Sequence, residues 1–88
     1  MKSINYKVPN GKMFRIDYEL YNDEINKCKI TGDFFLYPEE EIFGLEKCFK
    51  GTKDEIKQNI DIFFKKDIKT VGFEKKDLLN ILSELLSL

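Results

Sequence analysis

Histidine is absent from this chain, and that absence excludes a good deal of chemistry. A Ser-His or Cys-His nucleophile cannot be assembled within it, and a transition-metal site would lack its commonest ligand. Cysteine is nearly absent too: Cys28 and Cys48 are the only two, and their spacing matches neither a zinc site nor a CxxC redox pair. Both are expected to be buried free thiols, behaving as small hydrophobes. An excess of either charge is missing as well. Lys plus Arg total 15 against 16 Asp plus Glu, so the electrostatic footprint of a dedicated nucleic-acid binder is not there. No apolar run approaches the roughly 18 residues of a membrane span. The first residues, Met1 to Lys7, show no apolar signal region and enter a strand pattern at once. Neither GxxxxGK[ST] nor GxGxxG occurs, and there is no internal repeat or low-complexity linker. The expectation is a cytoplasmic protein with no membrane and no nucleic-acid partner.

What is there is 88 residues of patterned sequence, the length of one domain spanning 1–88. Ile4, Tyr6 and Val8 alternate with Ser3, Asn5 and Lys7, as in a strand with one wet face. Pro9-Asn10-Gly11 is a strong turn signal. Phe14, Ile16, Tyr18 and Leu20 then fall on one face, opposite Arg15, Asp17 and Glu19. Asn22-Asp23-Glu24 makes a second turn, and a third strand over about Ile25 to Thr31 puts Cys28 and Ile30 inward. Three strands joined by short turns predict an antiparallel meander.

After Thr31 the apolar period changes from two to that of a helix. Gly32-Asp33-Phe34-Phe35-Leu36-Tyr37-Pro38-Glu39-Glu40 forms the join. Gly32 is expected to supply a backbone conformation closed to other residues. Pro38 is expected to open a helix running to about Phe49, with Glu39, Glu40 and Glu41 at the positive end of its dipole and Gly51 as its C′ residue. Phe34 and Phe35 admit two readings, a buried aromatic plug or a contact surface. Thr52-Lys53-Asp54-Glu55 has the form of a capping box and precedes Ile56, Ile60, Phe63 and Phe64. Ile68 to Phe73 is a short extended piece or a loop. A last helix, about Glu74 to Leu86, carries Leu78, Ile81, Leu82 and Leu85, with Leu79, Leu86 and Leu88 widening the stripe. So broad a stripe means deep burial or a partner surface, and burial is preferred because the sheet needs a cover. The fold class is α+β: a three-stranded antiparallel meander followed by two to three helices packed on one face of the sheet.

A meander brings the end of its third strand beside the start of its second. Gly32-Asp33-Phe34-Phe35 should therefore lie next to Pro9-Asn10-Gly11-Lys12, collecting an acid, a lysine, glycines and two aromatics at one edge. Lys12 beside turn N–H groups could meet a phosphate or a partner carboxylate; a solvated lysine is the commoner fate.

These residues resemble the accessory (C-terminal) domain of lipoate–protein ligase. Lys7-Val8-Pro9-Asn10-Gly11-Lys12 resembles the family's K-V-P-G-G-K turn, with Asn10 in place of its first glycine, a replacement that tolerates left-handed backbone. Thr31-Gly32-Asp33-Phe34-Phe35 with Pro38-Glu39-Glu40 resembles the family's T-G-D-F-F followed by proline and acids. The order of elements fits along essentially the whole chain, the helical half in pattern only. The resemblance implies the free-standing small-subunit form, a non-catalytic accessory partner in a heterodimer with a catalytic ligase subunit. That subunit would hold ATP, Mg²⁺ and lipoate; this chain would hold no cofactor or metal and no catalytic residue. Together they would form lipoyl-adenylate, from which a lysine of a lipoyl domain is then modified. The partner-facing candidates are Lys7, Gly11, Lys12, Gly32, Asp33, Phe34 and Phe35. The competing readings are a protein-interaction module with no part in lipoate chemistry, a nucleic-acid binder using Tyr6, Phe14 and Tyr18, and a stand-alone enzyme built on Asp17, Glu19 and Asp33.

Overall fold

The alternating segments pair as their periods require. The structure, a computed structural model, describes residues 2–9 and 11–86. Strands β1 (Lys2–Lys7) and β2 (Met13–Tyr21) run antiparallel from Lys2 opposite Tyr18 to Lys7 opposite Met13. Strand β3 (Glu24–Gly32) adds to the other side of β2, from Tyr21 opposite Glu24 to Phe14 opposite Gly32. The hairpin between them is a two-residue turn in which Asn22 and Asp23 both take positive φ, 52° and 63°. Asn and Asp bear that conformation better than most residues, and its twist matches that of the flanking strands. The order β1-β2-β3 is the expected meander.

One irregularity separates the sheet from an ideal ladder. The register shifts between Glu19 and Leu20, which face Lys27 and Ile25. The extra residue on β3 changes which parity points inward. Ile25 is buried on one side of the bulge, while Ile30 is buried and Cys28 half-buried on the other. Phe14, Ile16 and Tyr18 complete the inner face.

That face is covered by α1 (Glu41–Cys48), α2 (Lys53–Phe63) and α3 (Lys75–Leu85). Helix α2 starts as its sequence dictates. The Glu55 N–H donates to Thr52 Oγ1 at 3.3 Å and the Thr52 N–H donates to Glu55 Oε1 at 2.9 Å. Ile56, Ile60 and Phe63 turn inward. Leu78, Ile81, Leu82 and Leu85 of α3 are all buried, and Leu79 and Leu86 pack against them, so the broad leucine stripe is core; Leu88 and Asn10 lie outside the described residues. Asp77 is buried with them, but its carboxylate accepts from the Glu74 N–H at 2.7 Å and from the Tyr6 hydroxyl at 3.3 Å. Burial pushes the Cys28 thiol up to about 12, with help from Glu46, and burial pushes Cys48 up to about 11. Both cysteines are free and stay protonated at neutral pH.

Three expectations are corrected. Helix α1 does not begin at Pro38. The Tyr37–Pro38 peptide is cis, and residues 38 to 40 form a turn whose carbonyls accept from the N–H groups of Glu41, Ile42 and Phe43 at 3.0–3.2 Å. The helix is thus three residues shorter at its start, and Glu41 alone of the three glutamates sits in its first turn. Gly51 has the expected positive φ, 103°, but the α1 cap is Phe49 and Gly51 stands beyond C′. Its backbone instead exchanges two hydrogen bonds with Ile25, of 2.9 and 3.0 Å. Finally, the join contains a strand of its own. Strand β4 (Phe35–Tyr37) pairs antiparallel with β5 (Lys69–Val71), so the centre of the 68–73 segment is extended and a two-stranded ribbon stands beside the meander. Among the described residues no helix is long and apolar enough to cross a membrane.

Candidate functional site

The β1–β2 turn and the β3–β4 join do meet, and they are tied rather than merely adjacent. Asp33 Oδ1 accepts the Met13 N–H at 2.9 Å. That bond, with Lys12 and Lys7 nearby, holds the Asp33 carboxyl below the usual carboxylate range. Lys7 Nζ donates to the Gly11 carbonyl at 3.0 Å. Within the turn, the Val8 N–H donates to Lys12 O at 2.9 Å and the Gly11 N–H to Val8 O at 2.8 Å. A third segment joins them: the Lys12 N–H reaches the Gly72 carbonyl at 3.4 Å.

The glycines are required mainly for space. A Cβ on Gly32 would collide with the Met13 carbonyl oxygen of β2. Gly32 does not take positive φ, so the expected unusual backbone is corrected to a close approach. A Cβ on Gly11 would lie 2.8 Å from Val8 Cγ1 and 3.0 Å from Gly72 O.

The two phenylalanines divide the two readings between them. Phe34 lies flat on Phe14, with centroids 4.3 Å apart and planes 6° apart. Phe73 meets both rings edge-on, at 5.1 and 5.3 Å. Phe34 is therefore the plug. Phe35, one residue on and in β4, points the other way and is 56% exposed. Tyr37 shares the face of Phe35 by strand alternation, and Val71 is the partner of Phe35 across the ribbon. Tyr37 and Val71 are also exposed, whereas Leu36 between them is buried. A groove of about 320 Å³ runs beside this ribbon, lined by Ile30, Gly32, Phe34, Phe35, Tyr37 and Ile42.

Of the seven candidates, Lys7, Gly11, Gly32, Asp33 and Phe34 are thus engaged in contacts within the joint, Lys7 and Asp33 while exposed, whereas the exposed side chains of Lys12 and Phe35 are not tied into it. Sequence reasoning missed Tyr37, Val71, Gly72 and Phe73. The Thr70-Val71-Gly72 order was the available signal, a β-branched pair ending in a glycine. Asp17, a candidate acid, is taken up on the sheet surface, accepting from Ser3 and pairing with Arg15 at 3.4 Å. No group of three or more His, Cys, Asp or Glu that could hold a metal occurs among the described residues. The arrangement is suited to docking and to presenting a charge.

Comparison with known proteins gives one consistent result. No family model matches the chain. Lipoate-protein ligase A subunit 2 of Thermoplasma acidophilum is 32% identical over 83 residues, which span 93% of this chain and 87% of that protein. A solved chain from an archaeal lipoylation system, described as a bi-partite lipoate protein ligase and its E2 lipoyl domain from the same organism, superposes with a TM-score of 0.80. It is 31% identical, over 93% of each chain.

Proposed function

Because this chain belongs to the lipoate-protein ligase A subunit 2 family, we propose that it is the non-catalytic accessory subunit of a split lipoate–protein ligase. The observation that carries this reading is likeness over 93% of the chain, in sequence and in fold at once. In the proposed complex it pairs as a heterodimer, in the cytoplasm, with a catalytic subunit that holds lipoate, ATP and Mg²⁺. The pair activates lipoate to lipoyl-adenylate, and the lipoyl group then passes to a lysine of a lipoyl domain.

Adenylation develops charge that needs oriented donors and a water-free cleft. A small rigid subunit docked over the cleft orders the substrate loops and completes the enclosure. The tied joint supports such a role. Lys7, Gly11, Gly32, Asp33 and Phe34 are the scaffold, and Lys12 and Phe35 are the side chains it holds outward.

The test is lipoate-dependent ATP–pyrophosphate exchange by the cognate catalytic subunit, with and without this chain. Exchange that depends on the chain is the expected result. Equal exchange in both samples, with the chain folded, would reduce the likeness to one of fold and family and leave an interaction module without a part in lipoate chemistry.

A further inference from the structure

We propose that Lys12 is the side chain with which this subunit meets an anionic oxygen in the assembled ligase, and that Gly72 is its positioning residue. The proposal rests on the accessory-subunit reading and adds to it a ligand chemistry, a phosphate or a carboxylate.

A lysine at the tip of a hairpin is ordinarily a mobile, solvated cation. Lys12 is held on three sides. Its N–H donates to Gly72 O at 3.4 Å, and its carbonyl accepts from Val8 at 2.9 Å. Its stem lies across the face of Gly72: a Cβ at position 72 would stand 2.5 Å from Lys12 Cγ and 3.2 Å from Lys12 Cβ. Gly72 also takes φ +100°, a conformation L side chains rarely adopt, so this seat is open only to glycine.

Gly72 is fixed in turn. Val71 before it pairs with Phe35, Phe73 after it is locked into the ring cluster, and Thr70 Oγ1 donates to the Phe73 carbonyl at 3.2 Å. The charged end of Lys12 makes no hydrogen bond or ion pair among the described residues, while neighbouring Lys7 is engaged by Gly11. Asp33 spends an oxygen on the Met13 N–H. The turn thus seats the stem and leaves the ammonium near the Asp33 carboxylate but in no hydrogen bond or ion pair with it. Less rotamer freedom is then lost when it meets its anion.

The experiment uses the reconstituted two-subunit ligase and Lys12→Met, which keeps the stem and its seat but removes the charge. Expected is a loss of about 10- to 100-fold in chain-dependent adenylation, the worth of one charge-assisted hydrogen bond, with the chain's unfolding midpoint unchanged. A raised KM for ATP with unchanged subunit association identifies a phosphate. Weakened association without nucleotide identifies a carboxylate of the partner. Wild-type behaviour of Lys12→Met in both assays overturns the proposal while leaving the accessory reading in place. A wild-type chain that does not stimulate the catalytic subunit sinks that reading and the proposal with it.

Gly72→Ala is then compared in the wild-type and Lys12→Met backgrounds. If Gly72 acts through the ammonium, the alanine lowers activity only where Lys12 is present, although it lowers the unfolding midpoint in both. An equal activity loss in both backgrounds makes Gly72 structural only. Should Gly72→Ala not fold, Thr70→Val, which removes the bond closing the same turn, takes its place with the same two outcomes.

Discussion

The meander and the ribbon are built from the same backbone pairing and have opposite relations to the core. Every inward residue of β2 up to Tyr18 is buried, and three helices close over them. The β4–β5 ribbon has one buried side chain, Leu36, and turns Phe35, Tyr37 and Val71 outward. Apolar side chains left in water are costly to the isolated subunit and useful at a contact. The sheet therefore carries the stability of this protein, while the ribbon, hung from it by Phe34 and Leu36, keeps three apolar side chains in water.

The comparison can be broken most severely from the sheet side. Phe14→Ala removes a fully buried ring that stacks on Phe34 and should cost about 3–5 kcal/mol, read from urea unfolding. Against the marginal stability of a domain this small, that unfolds much of the population at 37 °C. Leu36→Ala should cost about 2–3 kcal/mol, and its signature is local. Amide exchange should quicken across β4 and β5 while the centre of β2 stays protected; uniform acceleration would mean the ribbon is not a separate unit.

The pair Phe34→Ala and Phe35→Ala sharpens the contrast at adjacent positions. The first should lose about 2 kcal/mol for its half-buried, stacked ring. The second should stay within about 0.5 kcal/mol of wild type, as exposed sites do, yet weaken stimulation of the catalytic subunit. Similar unfolding midpoints for the two would contradict the division of roles.

The smallest effect is one of pH. Folded Asp33 titrates below its ordinary range because it accepts from Met13, so its contribution is present above about pH 4 and is lost as pH falls through the lower folded value. Asp33→Asn should be slightly less stable than wild type at pH 7 and lose less on acidification, so that the two thermal stabilities converge below pH 4. Asp17 and Asp61 are shifted the same way, by Ser3 and Lys75, and keep part of the acid slope in the variant.

What the sequence made legible was whatever is written locally. The period-two runs, the Asn22-Asp23 turn, the Thr52–Glu55 box and the leucine stripe each need only a few neighbouring residues. The ribbon was not legible because Phe35 pairs with Val71, and no short window contains both. The same gap hid which phenylalanine packs against the core. A three-residue strand sends successive side chains to opposite faces, and without β4 there is no reason to separate the two rings. Gly32 was recognised, but its reason lies in a carbonyl of another strand. The start of α1 was misplaced because a proline before acids is a fair helix opening on its own, and here the chain spends residues 38 to 40 on a turn first.

The bridge between Ile25 and Gly51 has a consequence for self-association. It closes the lower part of the outer edge of β3, and Glu46 Oε2 takes the Ile30 N–H higher up at 2.8 Å. The opposite edge, β1, has no such cover among the described residues, and Lys2 and Lys7 mark its two ends. A sheet open on both sides can accept copy after copy into a growing fibre. With those groups of β3 already taken up, edge-to-edge pairing through this sheet is easier along β1, which works against a fibre that would need both edges.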